Sequence, residues 1–350
     1  MTGGIRIALL GVQHYHANFW ANAIKQSDKA ELAGLWDADP TIAAAFATEH
    51  GTERWRDLPA LLDACDAVAI CSTTVEHKAL IKQAAEAGKA ILCEKPLGIS
   101  EADGLEIRDV LQRTGAVFMQ SFPKRFDPVT QAIKECVDSG DLGQITMVRV
   151  RHGHSHGLNE EFKSAWFVDP AKSGGGTLLD EGVHAADFLR LVFGEPESVS
   201  AMISSATLTL PVEDTALASF FYPNGLIAEV ATSWCFAAAD ASIEVYGTNG
   251  TVLVSGVDIA SRPKRERDFM QIFRRDGTGG DWQSLDLVPH FKTGVFHEHV
   301  AWAFIDALAQ GGAMPTGVDD GLRAFAMIDA AYNAARTGVR QSIKYPEGAQ

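Results

Sequence analysis

The chain has 350 residues, enough for two domains, and its 46% hydrophobic and 21% charged residues are the balance of an ordinary folded protein. A net charge of −15 argues against nucleic-acid binding, which depends on neutralising phosphates with Lys and Arg. No stretch approaches the roughly 20 apolar residues of a membrane span, so no membrane partner is expected.

The opening MTGGIRIALLGV has too short an apolar run for a signal peptide and no small-residue cleavage site. It reads as a buried first strand, and cytoplasmic residence follows by default. The five cysteines, Cys65, Cys71, Cys93, Cys136 and Cys235, show no C-x-x-C spacing and read as reduced core thiols.

Short apolar runs at 5–10, 32–36, 67–71, 90–93 and 117–119 alternate with helical stretches at 16–26, 41–50, 77–87 and 100–113. Strand and helix repeated in this way mean a parallel sheet covered on both faces. After about residue 121 the texture changes. A helix at 129–137 and a strand at 145–151 lead through a loop to the helix carrying Asp180 and His184. Strands follow at 199–206, 215–222, 226–234, 241–246 and 251–255, with hairpin turns at Pro223-Asn224-Gly225 and Thr248-Asn249-Gly250. The basic clump from Arg262 to Arg267 reads as a solvated loop or strand edge. Helices at 295–309 and 319–336 close the chain. The expectation is an α/β protein with a doubly wound parallel Rossmann domain over 1–123. An α+β domain with a large, mostly antiparallel open sheet is expected over 124–350, its closing helices able to pack back on the first domain. Ala216, Ala218, Phe220 and Tyr222 alternate along one strand and suggest an apolar sheet face for a homodimer or homotetramer.

The first strand ends in Gly11-Val12-Gln13-His14-Tyr15-His16. The dinucleotide fingerprint wants glycines at the first, third and sixth places, and only Gly11 is present. The loop still offers backbone N–H groups at a helix N-terminus to a pyrophosphate, and His14 or His16 adds a side-chain donor. Asp37 stands where a carboxylate accepts from the adenosine ribose and repels a 2′-phosphate, which favours NAD over NADP. Asp37 or Asp39 before Pro40 reads equally as a helix cap. Ser72, Thr73, Thr74 and His77 either line the cofactor or cap the next helix.

Lys95, between Glu94 and Pro96, is held extended at a strand end, beside where ligands bind in such sheets. Asp180 and His184 fall one helical turn apart, so they share a face, and Gly174–Gly176 before them lets a loop approach a ligand closely. The bland alternative has Asp180 capping and His184 packing in a core. A lysine, a carboxylate and an imidazole can move a proton on and off a hydroxyl while a hydride leaves the carbon beneath it.

Glu94-Lys95-Pro96, Gly174-Gly175-Gly176 and Asp180-Glu181-Gly182-Val183-His184 through Asp187 resemble the glucose–fructose oxidoreductase and inositol dehydrogenase family of nicotinamide-dependent sugar dehydrogenases. Arg125-Phe126-Asp127-Pro128 and Gly140-Asp141-Leu142-Gly143 support the resemblance, which covers almost the whole chain. The phosphate loop departs from that family's glycines. The resemblance implies an NAD(P)-dependent dehydrogenase acting on a secondary alcohol of a sugar, cyclitol or related polyol. It makes His184 the general acid/base, Lys95 the donor to the reacting oxygen and Asp180 their support. It also implies substrate contacts from Lys124, His154 and His156.

Trp166 offers a flat face to a sugar ring or packs in the core. His152, His154 and His156 share one face of an extended chain, where hydrogen bonds to sugar hydroxyls are favoured over a metal site, and no metal is assigned to them. His297-Glu298-His299 reads as an exposed helix start. A non-catalytic dinucleotide-binding regulator, or a metal- or redox-assisted hydrolase or lyase, stays open as the alternative.

Overall fold

A computed structural model describes residues 4–237, 241–255, 269–277, 279–287 and 295–347, and the basic clump Arg262–Arg267 lies outside them. The N-terminal part contains five parallel strands: β1 (Ile5–Leu10), β2 (Ala30–Trp36), β3 (Ala67–Ile70), β4 (Ala90–Cys93) and β5 (Phe118–Gln120). Their order is β2-β1-β3-β4-β5. The connections are α1 (His16–Gln26), α2 (Pro40–His50) with α3 (Leu58–Ala64), α4 (His77–Glu86) and α5 (Glu101–Thr114). The central strands are apolar on both faces because both are covered. Ile7, Leu9, Ala67 and Ala69 pack with Trp20 of α1. Ala8, Leu10, Val68 and Ile70 pack with Leu61, Ile81 and Ile107 on the other side. The strand order reverses between β1 and β3, which opens a crevice at their carboxyl ends.

The second sheet has nine described strands. In chain order they are β6 (Ile145–Gly153), β7 (Ser198–Ser204), β8 (Thr215–Phe221), β9 (Ile227–Ser233), β10 (Ile243–Gly247), β11 (Gly250–Val254), β12 (Met270–Asp276), β13 (Gly279–Leu285) and β14 (Gln341–Ser342). They lie in the order β13-β12-β11-β10-β6-β9-β8-β7-β14. Only the β6–β9 pair among them is parallel; the 223–225 and 248–250 turns do join antiparallel neighbours. β12, β13, β14 and α3 are additions to the sequence expectation. β13, with its glycines and polar residues, has no apolar alternation to announce it.

The helices α6 (Pro128–Asp138), α7 (Pro170–Ser173), α8 (Thr177–Asp180), α9 (Gly182–Phe193), α10 (Val295–Gln310) and α11 (Val318–Thr337) complete the described set. α6, α9 and α11 cover one face of the second sheet. Here the expected subunit face is corrected: Ala216, Ala218, Phe220 and Tyr222 are all buried in this core against the helices. The opposite alternation is the open one. A cross-strand row of Trp282, Phe273, Thr251, Tyr246, Met147, Ile227 and Phe221 runs over it. Trp282 is 51% and Ile227 41% exposed.

α10 packs against α1 instead of the second sheet. Its Val300, Ala301, Phe304 and Ile305 enter the core beside Trp20, and Trp302 Nε1 donates to the Ala23 carbonyl at 3.1 Å. Arg125 ties the second part together from inside. Its guanidinium bonds Asp187 on α9 at 2.6 Å and Asp320 on α11 at 2.7 Å. Burial works against that charge, but Asp187 and Asp320 outweigh it and keep Arg125 protonated. Removing one partner of such a buried pair typically costs about 3–5 kcal/mol. Cys65, Cys71, Cys93 and Cys136 are buried free thiols and Cys235 a half-buried one. No helix among the described residues is long and apolar enough to cross a membrane.

Candidate active site

The apolar run of β4 leads directly to Lys95 at the crevice, and the Lys95-Pro96 peptide that follows is cis. His77, at the start of α4, sets its Nδ1 2.9 Å from the Pro96 carbonyl, so this residue braces the turn from behind. Lys95 is 3% exposed. Its Nζ donates to Asp180 Oδ1 at 2.6 Å and to the Asp180 carbonyl at 2.9 Å. The other Asp180 oxygen accepts from Trp234 Nε1 at 3.2 Å, beyond the end of β9. Burial opposes the lysine charge, but Asp180, Glu181 and Glu94 together raise its pKa above the ordinary value. An ammonium thus stands in the crevice with its direction fixed.

Asp180 and His184 do not share one helix. α8 ends at Asp180, Glu181 interrupts, and His184 lies in the first turn of α9. His184 is buried, with its ring 5.1 Å from that of His152. Burial first, then the charges of Lys95 and His152, hold it well below the usual imidazole range. At neutral pH it is an uncharged base.

The interrupting residue has its own work. Glu181 Oε2 lies 3.1 Å from His152 Nε2 and its Oε1 3.2 Å from His154 Nε2. Burial resists its ionisation, yet these two imidazoles keep it a carboxylate. The histidine triplet is therefore split: His152 and His154 are buried against Glu181, while His156 is exposed at the start of a short 3-10 turn. Lys124 is buried nearby, 6.0 Å above the Phe188 ring, and burial lowers its pKa.

The glycine run serves packing. A Cβ on Gly174 would strike Ile99, one on Gly175 the Tyr332 hydroxyl, and one on Gly176 the backbone of Glu213. The same run also borders the crevice, since Gly175 lines the inner cavity with Lys95 and Asp180. Glu213 accepts from the Gly176 and Leu178 backbone N–H groups at 3.1 and 2.8 Å, which supplies the start of α8 with the acceptor its glycine cap lacks.

At the cofactor end Gly11 turns with φ +72°, and a Cβ there would collide with Ser72. Asp39 caps α2, accepting from Thr41 and Ile42, so the cap is Asp39 and not Asp37. Asp37 instead accepts from Val12 N at 2.8 Å and Asp39 N at 2.8 Å, with the Gln13 amide at 3.4 Å. The Thr73 hydroxyl donates to Glu76 at 2.8 Å, the capping role. The Ser72 hydroxyl donates to the Thr73 carbonyl. Thr74 faces inward beside Lys95. His14 N donates to the Cys71 carbonyl, whereas the backbone N–H groups of Gln13 and Tyr15 have no partner among the described residues.

Tyr15 is half-exposed at the turn. His14 and His16 are buried, and His16 points to Glu94 at 3.0 Å. His297 departs from its expected exposure, being buried with its ring 3.6 Å from that of His16. Trp166 is half-buried, stacks on Phe167 and donates from Nε1 to the Gln13 carbonyl at 3.3 Å.

These residues suit a dinucleotide. A groove of about 590 Å³, lined by Gln13, Asp39, Thr41, Thr73 and Lys172, has the volume for an adenosine half. The Gln13 and Tyr15 N–H groups, in the turn before α1, suit a pyrophosphate. The inner end, bounded by His14, Thr74, Lys95, Trp166 and Asp180, encloses about 10 Å³, room for one water.

A parallel sheet whose order reverses at such a crevice is the architecture of a dinucleotide-binding protein, and the family match makes this one an NAD-binding oxidoreductase. Residues 5–122 match the family model described as "Oxidoreductase family, NAD-binding Rossmann fold", and residues 130–253 match the "GFO/IDH/MocA C-terminal domain". The chain belongs to the GFO/IDH/MocA oxidoreductase family. It is 30% identical to inositol 2-dehydrogenase of Rhizobium meliloti over 333 residues, 93% of this chain and 96% of that one. It is 28% identical to D-apiose dehydrogenase of Paraburkholderia graminis, covering 96% and 89%. Among solved structures, a putative myo-inositol dehydrogenase from Sinorhizobium meliloti 1021 aligns with TM-score 0.76 at 28% identity over 97% of this chain and 100% of that chain. A levoglucosan dehydrogenase complex with NADH shares the fold at TM-score 0.84 and 21% identity, covering 98% and 100%.

Four site neighbours escaped the sequence reading: Glu181 as the partner of two histidines, Trp234, Glu213 and Phe167. Glu181 alone had a signal, since it sits inside the motif that drew attention to its neighbours.

Proposed function

We propose that the protein oxidises a secondary alcohol of a sugar, cyclitol or related polyol with NAD as the acceptor. The observation that carries this reading is the buried Lys95–Asp180 pair at 2.6 Å beside a neutral, buried His184. His184 takes the hydroxyl proton, and Lys95 holds the oxygen and offsets the negative charge that grows on it. Asp180 aims Lys95 and is itself fixed by Trp234. NAD, when bound, supplies the hydride acceptor. Gly11, the Gln13 and Tyr15 N–H groups, Asp37 and the Ser72–Thr74 turn would hold it. The Asp37 carboxylate disfavours a 2′-phosphate and hence NADP. Lys124, His154 and Trp166 face the polyol. The names of the relatives, inositol 2-dehydrogenase and D-apiose dehydrogenase, support that substrate class.

Purified protein given NAD or NADP and a panel of cyclitols, pentoses and hexosides should reduce NAD with at least one of them, and faster than NADP. Cofactor binding without reduction by any polyol would sink the reading. The open face of the second sheet suits a second copy of this chain, because its apolar row is too extended for an isolated surface. Light scattering should give a dimer or tetramer, and Trp282→Lys with Ile227→Lys should shift it towards monomer; a monomeric wild type counts against that assignment.

A further inference from the structure

Beneath the β1–α1 turn three imidazoles surround one carboxyl group. His14 and His16 are each 3% exposed and Glu94 is fully buried. One ligand atom from each of these three residues lies within 4.8 Å of the other two. His16 Nδ1 stands 3.0 Å from one oxygen of Glu94. The other oxygen is buried and has no hydrogen-bond partner among the described residues. A buried carboxyl oxygen without a partner is a costly arrangement that invites an explanation. Lys95, the next residue, does not supply it, because its Nζ is committed to Asp180. Burial keeps both His14 and His16 uncharged, so each has a ring nitrogen with a lone pair.

Two neutral imidazoles and a carboxylate form the donor set of a divalent transition ion, whereas magnesium and calcium prefer oxygen. We propose that His14, His16 and Glu94 form a divalent transition-metal site, best matched to Zn²⁺, that ties the β1–α1 turn to the end of β4. Metal–ligand bonds of about 2.0–2.2 Å require the three donors to draw in by roughly an ångström. Side-chain rotation can provide that. The bond most exposed to replacement is the long one, 3.2 Å, from His16 N to His14 Nδ1. The His297 ring, against His16, closes the far side of the cluster.

The site also accounts for an oddity of the turn. His16 occupies the sixth fingerprint position, where a glycine normally allows close helix–strand packing. Here the position carries a side chain that reaches across to β4. The other candidate set, His154, Asp180 and Glu181, is weaker. Its carboxylates already face Lys95, Trp234, His152 and His154, so a cation there would have to displace an ammonium.

The inference goes beyond the dehydrogenase reading, since it requires neither polyol nor hydride transfer. Full-length protein is stripped with a chelator, loaded with Zn²⁺ or Co²⁺, passed through gel filtration and assayed for bound metal by mass spectrometry. The expected result is one ion per chain, a higher Tm on loading, and visible ligand-field bands for Co²⁺. Glu94→Gln and His16→Gln should weaken retention by at least about tenfold, since even outer-shell changes cost that much. Glu181→Gln should retain the ion. If the Glu94 and His16 variants do not fold, the wild-type stoichiometry and Co²⁺ spectrum decide. No retained ion in the wild type overturns the proposal. So does equal retention in a folded Glu94→Gln protein, or loss confined to Glu181→Gln. A wild type that retains no ion after loading yet reduces NAD would refute the site and leave the dehydrogenase standing; a protein that retains the ion but oxidises no polyol would do the reverse.

Discussion

Lys95→Met is expected to lower the rate of NAD reduction by about 10²–10³-fold, the usual consequence of removing one fixed donor to a developing oxyanion. The ammonium is held from two sides, by the Asp180 carboxylate and the Asp180 carbonyl, in a site almost closed to water. Its orientation therefore needs no rearrangement when the hydroxyl proton departs, which is what makes such a donor effective. Methionine retains most of the bulk and removes the charge. NAD affinity, measured by calorimetry, should change only a few-fold, because the groups assigned to the adenosine half lie on other strands. A variant whose kcat falls less than tenfold would show that Lys95 does not touch the reacting oxygen.

His184→Asn should cost about 10²–10⁴-fold in kcat, the range for a lost general base. The sharper test is the pH profile of the wild type. Alcohol oxidation needs the neutral imidazole. The groups that face His184 are Lys95, His152, Glu181 and His297, and the sum of burial and these charges lowers its pKa well below the ordinary 6.5. The fraction of neutral base therefore stays near one as pH drops through 6.5, and declines only when pH passes the lowered value. kcat/KM for oxidation should be level across that region, with its acid limb well beneath it. An acid limb centred at or above 6.5 that vanishes in His184→Asn would refute the assigned environment.

The parallel sheet was legible because strands buried on both faces are continuous apolar runs, as in Ala67–Ile70 and Ala90–Cys93. The pairing of Lys95 with Asp180 could be anticipated because both sit in compact motifs. What the motifs hid is tertiary. A four-residue spacing suggested a shared helix face, but Glu181 breaks the helix to face His152 and His154. Three successive glycines suggested a loop close to a ligand, and the protein neighbours they also admit, Ile99, Tyr332 and Glu213, come from distant parts of the chain. His297 looked like an exposed helix start because nothing local tells which sheet α10 will cover. The alternation of Ala216 to Tyr222 gave the period of a strand but could not say which of its faces meets helices.

The path of α10 bears on how such a protein could be divided. The cofactor-binding half takes part of its hydrophobic interior from Val300, Ala301, Phe304 and Ile305 of α10, far along the chain from the strands they cover. Its folding unit is discontinuous in sequence, so Trp20 and its neighbours lack part of their cover until α10 has been made. Grafting the first 123 residues onto a relative's substrate half would transplant an incomplete module, and a working chimera would have to carry its own closing helices with it.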